Sequence, residues 1–181
     1  MSFLTNKCSV DRNLKFSADL VGSNVIPANA SKATATFSGV LNACRECFDY
    51  VINAHNLEGI TWAEIHLGKA GKNGPLVKTL CIEYNKGFAK AHFKPANHTQ
   101  CRLDMPCGIS DTDFIKSDSA YGKGTWTAYD YCQPLTLQLM KELQAGNLYV
   151  IIKTYAFPKG EIRGQIKFNG FQPINRPPLN Q

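Results

Sequence analysis

Apolar and polar side chains alternate along much of this chain with the two-residue period of a β-strand. Leu14, Phe16, Ala18 and Leu20 fall on one face, and Ala33 to Val40 interleaves small apolar residues with Thr34, Thr36 and Ser38. Phe48, Tyr50, Ile52 and Ala54 form a third run, Ile60 to Leu67 a fourth and Leu76 to Glu83 a fifth. Near the C-terminus, Leu148, Val150 and Ile152 share a face, as do Ile162, Gly164 and Ile166, and the turn residues Pro158 and Gly160 lie between the two runs. At least seven short strands spaced in this way predict an antiparallel sandwich or barrel. One segment has helical period instead. Leu135, Leu139 and Leu143 recur with Met140 beside them, Thr136 is placed to cap the start and Gly146 the end, so one short helix of about two turns is expected.

The ends and one middle stretch break this rhythm. Residues 1–13 read as a polar arm, 14–168 as the β-sandwich, and 169–181 as an extended proline-rich tail. Residues 84–134 form a long irregular insertion with Gly87, Pro95, Pro106, Gly108, Gly122 and Gly124. A structureless loop of that length is unusual inside a compact domain, so further short strands are expected there, with Thr125 to Tyr131 one candidate.

Composition adds mainly through cysteine and charge. The chain has 181 residues, a size suited to one domain with tails. Its net charge of +6 is scattered, with no run of Lys and Arg and no interleaved aromatic stripe, so no nucleic-acid partner is expected. No apolar run reaches the roughly 18–20 residues that span a bilayer. The first residues lack a basic segment followed by an apolar core, so no secretory leader is visible; either a leader has been removed, or export follows another route such as lysis of the producing cell.

The seven cysteines are Cys8, Cys44, Cys47, Cys81, Cys101, Cys107 and Cys132, an odd number that suits a destination outside the reducing cytosol. All seven are disulfide candidates. Cys44 and Cys47 have the spacing of half a zinc site or a redox pair. A zinc site would need a second pair such as Cys101 and Cys107, and a redox pair would need a helix start. The simpler expectation is a hairpin turn flanked by two cysteines, with Cys101 and Cys107 clipping the long loop. Cys8, in the arm, is placed to bond a neighbouring molecule, or is an incidental thiol.

Other candidate chemistry is sparse. Asp111, Asp113 and Asp118 lack the glycine and terminal glutamate of a calcium loop. Asn29 and Asn97 head glycosylation-type triplets. His55, His92 and His98 are isolated, and no Ser-His-Asp set or phosphate-binding glycine loop is visible. The chain is read as a non-enzyme without a cofactor.

Several motifs together carry a resemblance. They are Phe16-Ser-Ala-Asp-Leu-Val-Gly22, Val25-Ile-Pro27, Tyr50-Val-Ile-Asn-Ala-His-Asn-Leu57, Ile60 to Pro75, Leu143-Gln-Ala-Gly-Asn-Leu-Tyr-Val150 and Gly160-Glu-Ile-Arg-Gly-Gln-Ile166. In this order they resemble the CHRD domain family, named for its occurrence in chordin. The Leu67 to Pro75 wording is most similar to versions from spore-forming bacteria. The resemblance implies an all-β, Greek-key antiparallel sandwich similar in topology to copper–zinc superoxide dismutase.

It also implies two histidines in the middle motif and one in the late strand, a potential metal site. Here those positions hold Glu64, His66 and Lys153. One imidazole and one carboxylate are too few for a metal centre. With Lys153 opposite, as the family layout implies, Glu64 and Lys153 are an ion-pair candidate, the alternative being two independent surface charges. The function expected is a structural subunit of a cell-surface or spore-associated fibre or layer, extracellular, joined to itself through the arm and disulfides. Other surface proteins are further expected partners. The alternatives are an extracellular protein-binding module and, third, a dismutase-like metal protein.

Overall fold

A computed structural model describes residues 12–42, 47–80, 82–84, 119–130 and 132–173. In chain order the strands are β1 (Arg12–Val21), β2 (Thr34–Leu41), β3 (Cys47–His55), β4 (Ile60–Leu67), β5 (Leu76–Leu80), β6 (Glu83–Tyr84) and β7 (Ser119–Thr127). Helix α1 (Leu137–Gln144) follows, then β8 (Leu148–Thr154), β9 (Ile162–Gln165) and β10 (Lys167–Pro173).

The strands of the described residues pair antiparallel, in the order β5-β4-β8-β9-β1-β2-β3-β7-β6, with β10 added alongside β1. β1, β2, β3 and β7 form one half and β5, β4, β8 and β9 the other. The chain crosses between them from β3 to β4, returns from β5 to β6 and β7, crosses again from β7 to β8 and returns from β9 to β10 beside β1, which makes the Greek-key, all-β architecture expected from the sequence. The sheet rolls until its far edges nearly meet. There Lys78 Nζ lies 2.6 Å from Asp130 Oδ2, and the Thr79 amide donates to Gln133 Oε1 at 2.9 Å.

Alternation explains the core. Leu14, Phe16, Phe37, Phe48, Ile52, Ile65, Trp126, Val150, Ile152 and Ile162 all point inward and are buried. Two glycines leave room for aromatic rings, because a Cβ on Gly39 would collide with Phe48 and one on Gly124 with Tyr50. Thr136 caps α1 by accepting a hydrogen bond from the Leu139 amide, and Met140 and Leu143 seal the core.

The structure moves some expected boundaries. The strand expected over Thr125 to Tyr131 runs over Ser119–Thr127 and pairs with β3 along its whole length, so this part of the irregular stretch belongs to the main sheet. The fifth run divides into β5 and β6. Arg12 and Asn13, placed in the arm by sequence, begin β1, and the first tail residues lie in β10. The remainder of the arm and tail lies outside the described residues.

Candidate functional site

The outward faces of β4, β8 and β9 carry the chemistry. Inward positions Ala63, Ile65, Val150 and Ile152 fill the core, so the alternate residues Glu64, His66, Tyr149, Lys153, Arg163 and Gln165 stand on the other side. A strand segment of this kind usually faces solvent. Here the Gly-rich connection from Gly68 to Pro75 folds back over it, and Glu64, Tyr149 and Arg163 become buried.

The structure brings Glu64, His66 and Lys153 together. Lys153 Nζ lies 2.6 Å from Glu64 Oε2, and His66 Nε2 lies 2.7 Å from the same oxygen. β4 and β8 pair so that Trp62 is opposite Lys153 and Glu64 opposite Ile151, so the ion pair runs diagonally between strands, within reach of long side chains. Burial alone would raise the Glu64 pKa. The hydrogen bonds from His66 and Lys153, together with their positive charges, outweigh it and hold the carboxyl below its ordinary value. The other ring nitrogen of His66, Nδ1, is 2.8 Å from the carbonyl oxygen of Gly74. Both partners of the ring are acceptors, so both bonds exist together when each nitrogen carries a proton. The ring also stacks on Tyr149, with centroids 5.2 Å apart.

Arg163 pins the same loop from below. Its guanidinium donates to Asn73 Oδ1 at 3.0 Å and to the Lys72 carbonyl at 2.7 Å, with a longer bond to the Lys69 carbonyl. It lies over the Tyr149 ring at 3.5 Å. Only 2% of the residue is exposed, and desolvation lowers its pKa. Asn73 then ties the loop to the 22–27 turn by donating to the Ile26 carbonyl. Sequence reading missed this role for Arg163. A lone arginine in a strand looks solvent-facing, and its acceptors are about ninety residues earlier in the chain. The signal was the concentration of Gly68, Gly71 and Gly74, which lets the loop approach the sheet closely. A Cβ on Gly74 would strike the Leu67 carbonyl oxygen.

A second polar cluster lies at the far end of β8. Thr154 Oγ1 donates to Glu161 Oε2 at 2.6 Å and Ser31 Oγ to Glu161 Oε1 at 2.7 Å. Asn29 Nδ2 donates to the carbonyls of Gly160 and Glu161. The amide proposed by its triplet as a glycan acceptor is thus engaged in holding the turn before β9. His55 ends β3, opposite Thr34 of β2 and Ser119 of β7.

Most of the remaining candidates lie outside the described residues. These are Cys8, Cys44, Cys81, Cys101, Cys107, His92, Asn97, His98, Asp111, Asp113 and Asp118. Cys47 is half-buried at the start of β3. Cys132 is disulfide-bonded.

The Glu64 cluster brings together one carboxylate, one imidazole and one ammonium group. Among the described residues no three His, Cys, Asp or Glu side chains converge to hold an ion. The Lys153 ammonium group and the His66 ring share the same carboxylate oxygen, Glu64 Oε2. The described helix is too short and polar to cross a membrane.

A family model for the CHRD domain matches residues 16–166. No curated protein and no solved structure matches the chain. The CHRD domain is an extracellular-type module and is not a known enzyme family. The match spans the sandwich from the core face of β1 to the end of β9, including the Glu64 cluster and the loop above it, and on that extent the chain belongs to the CHRD domain family.

Proposed function

We propose that this protein is a non-enzymatic structural subunit that works outside the cell or on a cell or spore surface and assembles with further copies of itself. One observation carries the reading. At the positions where the family resemblance implies imidazoles, Glu64 is neutralised by Lys153 and bonded to His66. A carboxylate already satisfied by internal donors stabilises the sheet and its covering loop and has little capacity left for a metal or substrate. The Arg163 and Glu161 networks act the same way, fastening two long connections to a rigid sandwich. Assembly would use the segment before β1, with Cys8 forming a bond to a neighbour, and an ordered fibre or layer would follow from a head-to-tail contact that does not close.

Electron microscopy of the purified full chain, with and without reductant, tests this. Multimers that shorten or vanish on reduction, and that are lost on deleting residues 1–11 or in Cys8→Ser, are the expected result. A monodisperse monomer in every condition would overturn it. A second reading, a module that binds another extracellular protein, is favoured by Phe168 and Phe171, which are exposed side by side on β10 with ring centroids 5.4 Å apart. It predicts that monomer.

A further inference from the structure

A cleft of about 480 Å³ opens beside the Arg163 network, between the 22–27 turn and the Gly68–Pro75 loop. Its volume is in the range of small-molecule sites. Asp19, Arg163, Gln165 and Lys167 line its floor, and Ser23, Asn24, Ala70 and Gly71 its rim. The lining has no aromatic ring, and its polar and charged side chains outnumber the apolar ones, Ala18, Val25, Ile26 and Ala70, which favours a polar ligand.

The charges are unbalanced. Arg163 is buried, and its partners among the described residues are neutral: Asn73, two carbonyls and the Tyr149 ring. A buried charge without a counter-charge is unusual. Lys167 adds a second, exposed cation, and Asp19 is the one carboxylate in the lining. At the rim, the Lys72 amide donates to the Lys69 carbonyl at 3.0 Å and Gly71 has φ of 76°, the pattern of a type II turn with Ala70 and Gly71 at its centre. Among the described residues neither the Ala70 nor the Gly71 amide has an acceptor. Lys69 and Lys72 flank those two amides.

We infer that this cleft binds a sugar acid, a hydroxylated ring bearing a carboxylate. The carboxylate would sit between Lys167 and the rim amides, in the positive field of the buried Arg163. The hydroxyl groups would donate to Asp19 and exchange hydrogen bonds with Ser23 and Asn24. A bare anion would leave Asp19 repelling it, and a neutral sugar would leave two cations unanswered. The inference is independent of self-assembly.

The test is a titration of isotope-labelled full chain by two-dimensional amide NMR at fixed ionic strength, with glucuronate, glucose, acetate and sulfate as separate probes. Glucuronate should move the Ala70, Gly71 and Lys167 signals saturably, with Kd at least tenfold below that of the other three. Ala70→Pro suits the second position of a type II turn and removes one donor without breaking the turn. Lys167→Met and Asp19→Asn alter exposed side chains. Each variant should keep the parent spectrum elsewhere and weaken glucuronate at least fivefold. Equal binding of acetate or sulfate, equal binding of glucose, absence of saturation, or undiminished binding in all three variants would overturn the inference.

Discussion

Replacing Lys153 by Met should destabilise the protein more than replacing Lys153 and Glu64 together by apolar residues. The Glu64 side chain is 6% exposed and that of Lys153 22%. An exposed ion pair is worth about 0–1 kcal/mol, and breaking a fully buried one costs about 3–5 kcal/mol. This pair is intermediate, and His66 still serves the carboxylate in the single variant, so a loss of about 2–3 kcal/mol is expected for Lys153→Met. Glu64→Leu combined with Lys153→Met removes both charges, and a net loss of about 1 kcal/mol or less is expected. At about 2–4 °C per kcal/mol for a domain of this size, the single change lowers Tm by roughly 4–12 °C. Urea unfolding at pH 7 of the parent, both single variants and the double variant gives the coupling term directly. The pH dependence has a definite sign. A carboxyl held below its ordinary value in the fold stabilises the protein above that value, and the contribution is lost as pH falls through the lowered one. The gap between parent and Lys153→Met should therefore be full at pH 7 and close as the pH drops below about 4.5, the ordinary carboxyl value. Equal losses in the single and double variants, or a gap that persists in acid, would refute the reasoning.

Two further changes probe the close approaches around the site. Gly164→Ala places a Cβ 2.5 Å from the Asp19 carbonyl oxygen, so β1 and β9 must part and a loss of about 2–3 kcal/mol is expected in thermal unfolding. Gly71→Ala meets nothing within 4 Å and should cost only about 1 kcal/mol, through its φ of 76°. A larger loss at Gly71 than at Gly164 would reverse the packing argument. Arg163→Met removes the pin beneath the loop while keeping an apolar contact to Tyr149. Hydrogen exchange at the Lys72 and Gly74 amides should quicken at least tenfold relative to that at Ile65 in β4, and unchanged protection would show that the loop is held without Arg163.

How far this molecule was legible from its sequence depends on where each residue's neighbours lie. Strands β1 to β4, β8 and β9 were readable because each has one buried and one open face, and that asymmetry leaves a period of two in the chain itself. The helix was readable for the parallel reason, with Thr136 marking its start. β10 was not, because its side chains are mostly exposed and an exposed strand has no alternation to read. β7 was displaced in the reading because Gly122 and Gly124 occupy inward positions opposite Ile52 and Tyr50. Glycine looks like a loop signal unless the ring that needs the space is known.

The same distinction separates the two charged groups of the site. Glu64 and Lys153 could be paired from the sequence because a family pattern supplied their proximity. Arg163 and Glu161 could not, because a charged residue in a strand is ordinarily on the wet side, and only the folding back of remote segments made these two dry. What buries Arg163 is a loop whose glycines allow its carbonyls to turn inward, and among the described residues the amides of Ala70 and Gly71 in the same loop have no acceptor. One local arrangement thus produces both the pinned loop and the donor-rich rim of the cleft. Arg163→Met removes both the pin and the positive field beneath the cleft and should consequently weaken glucuronate binding.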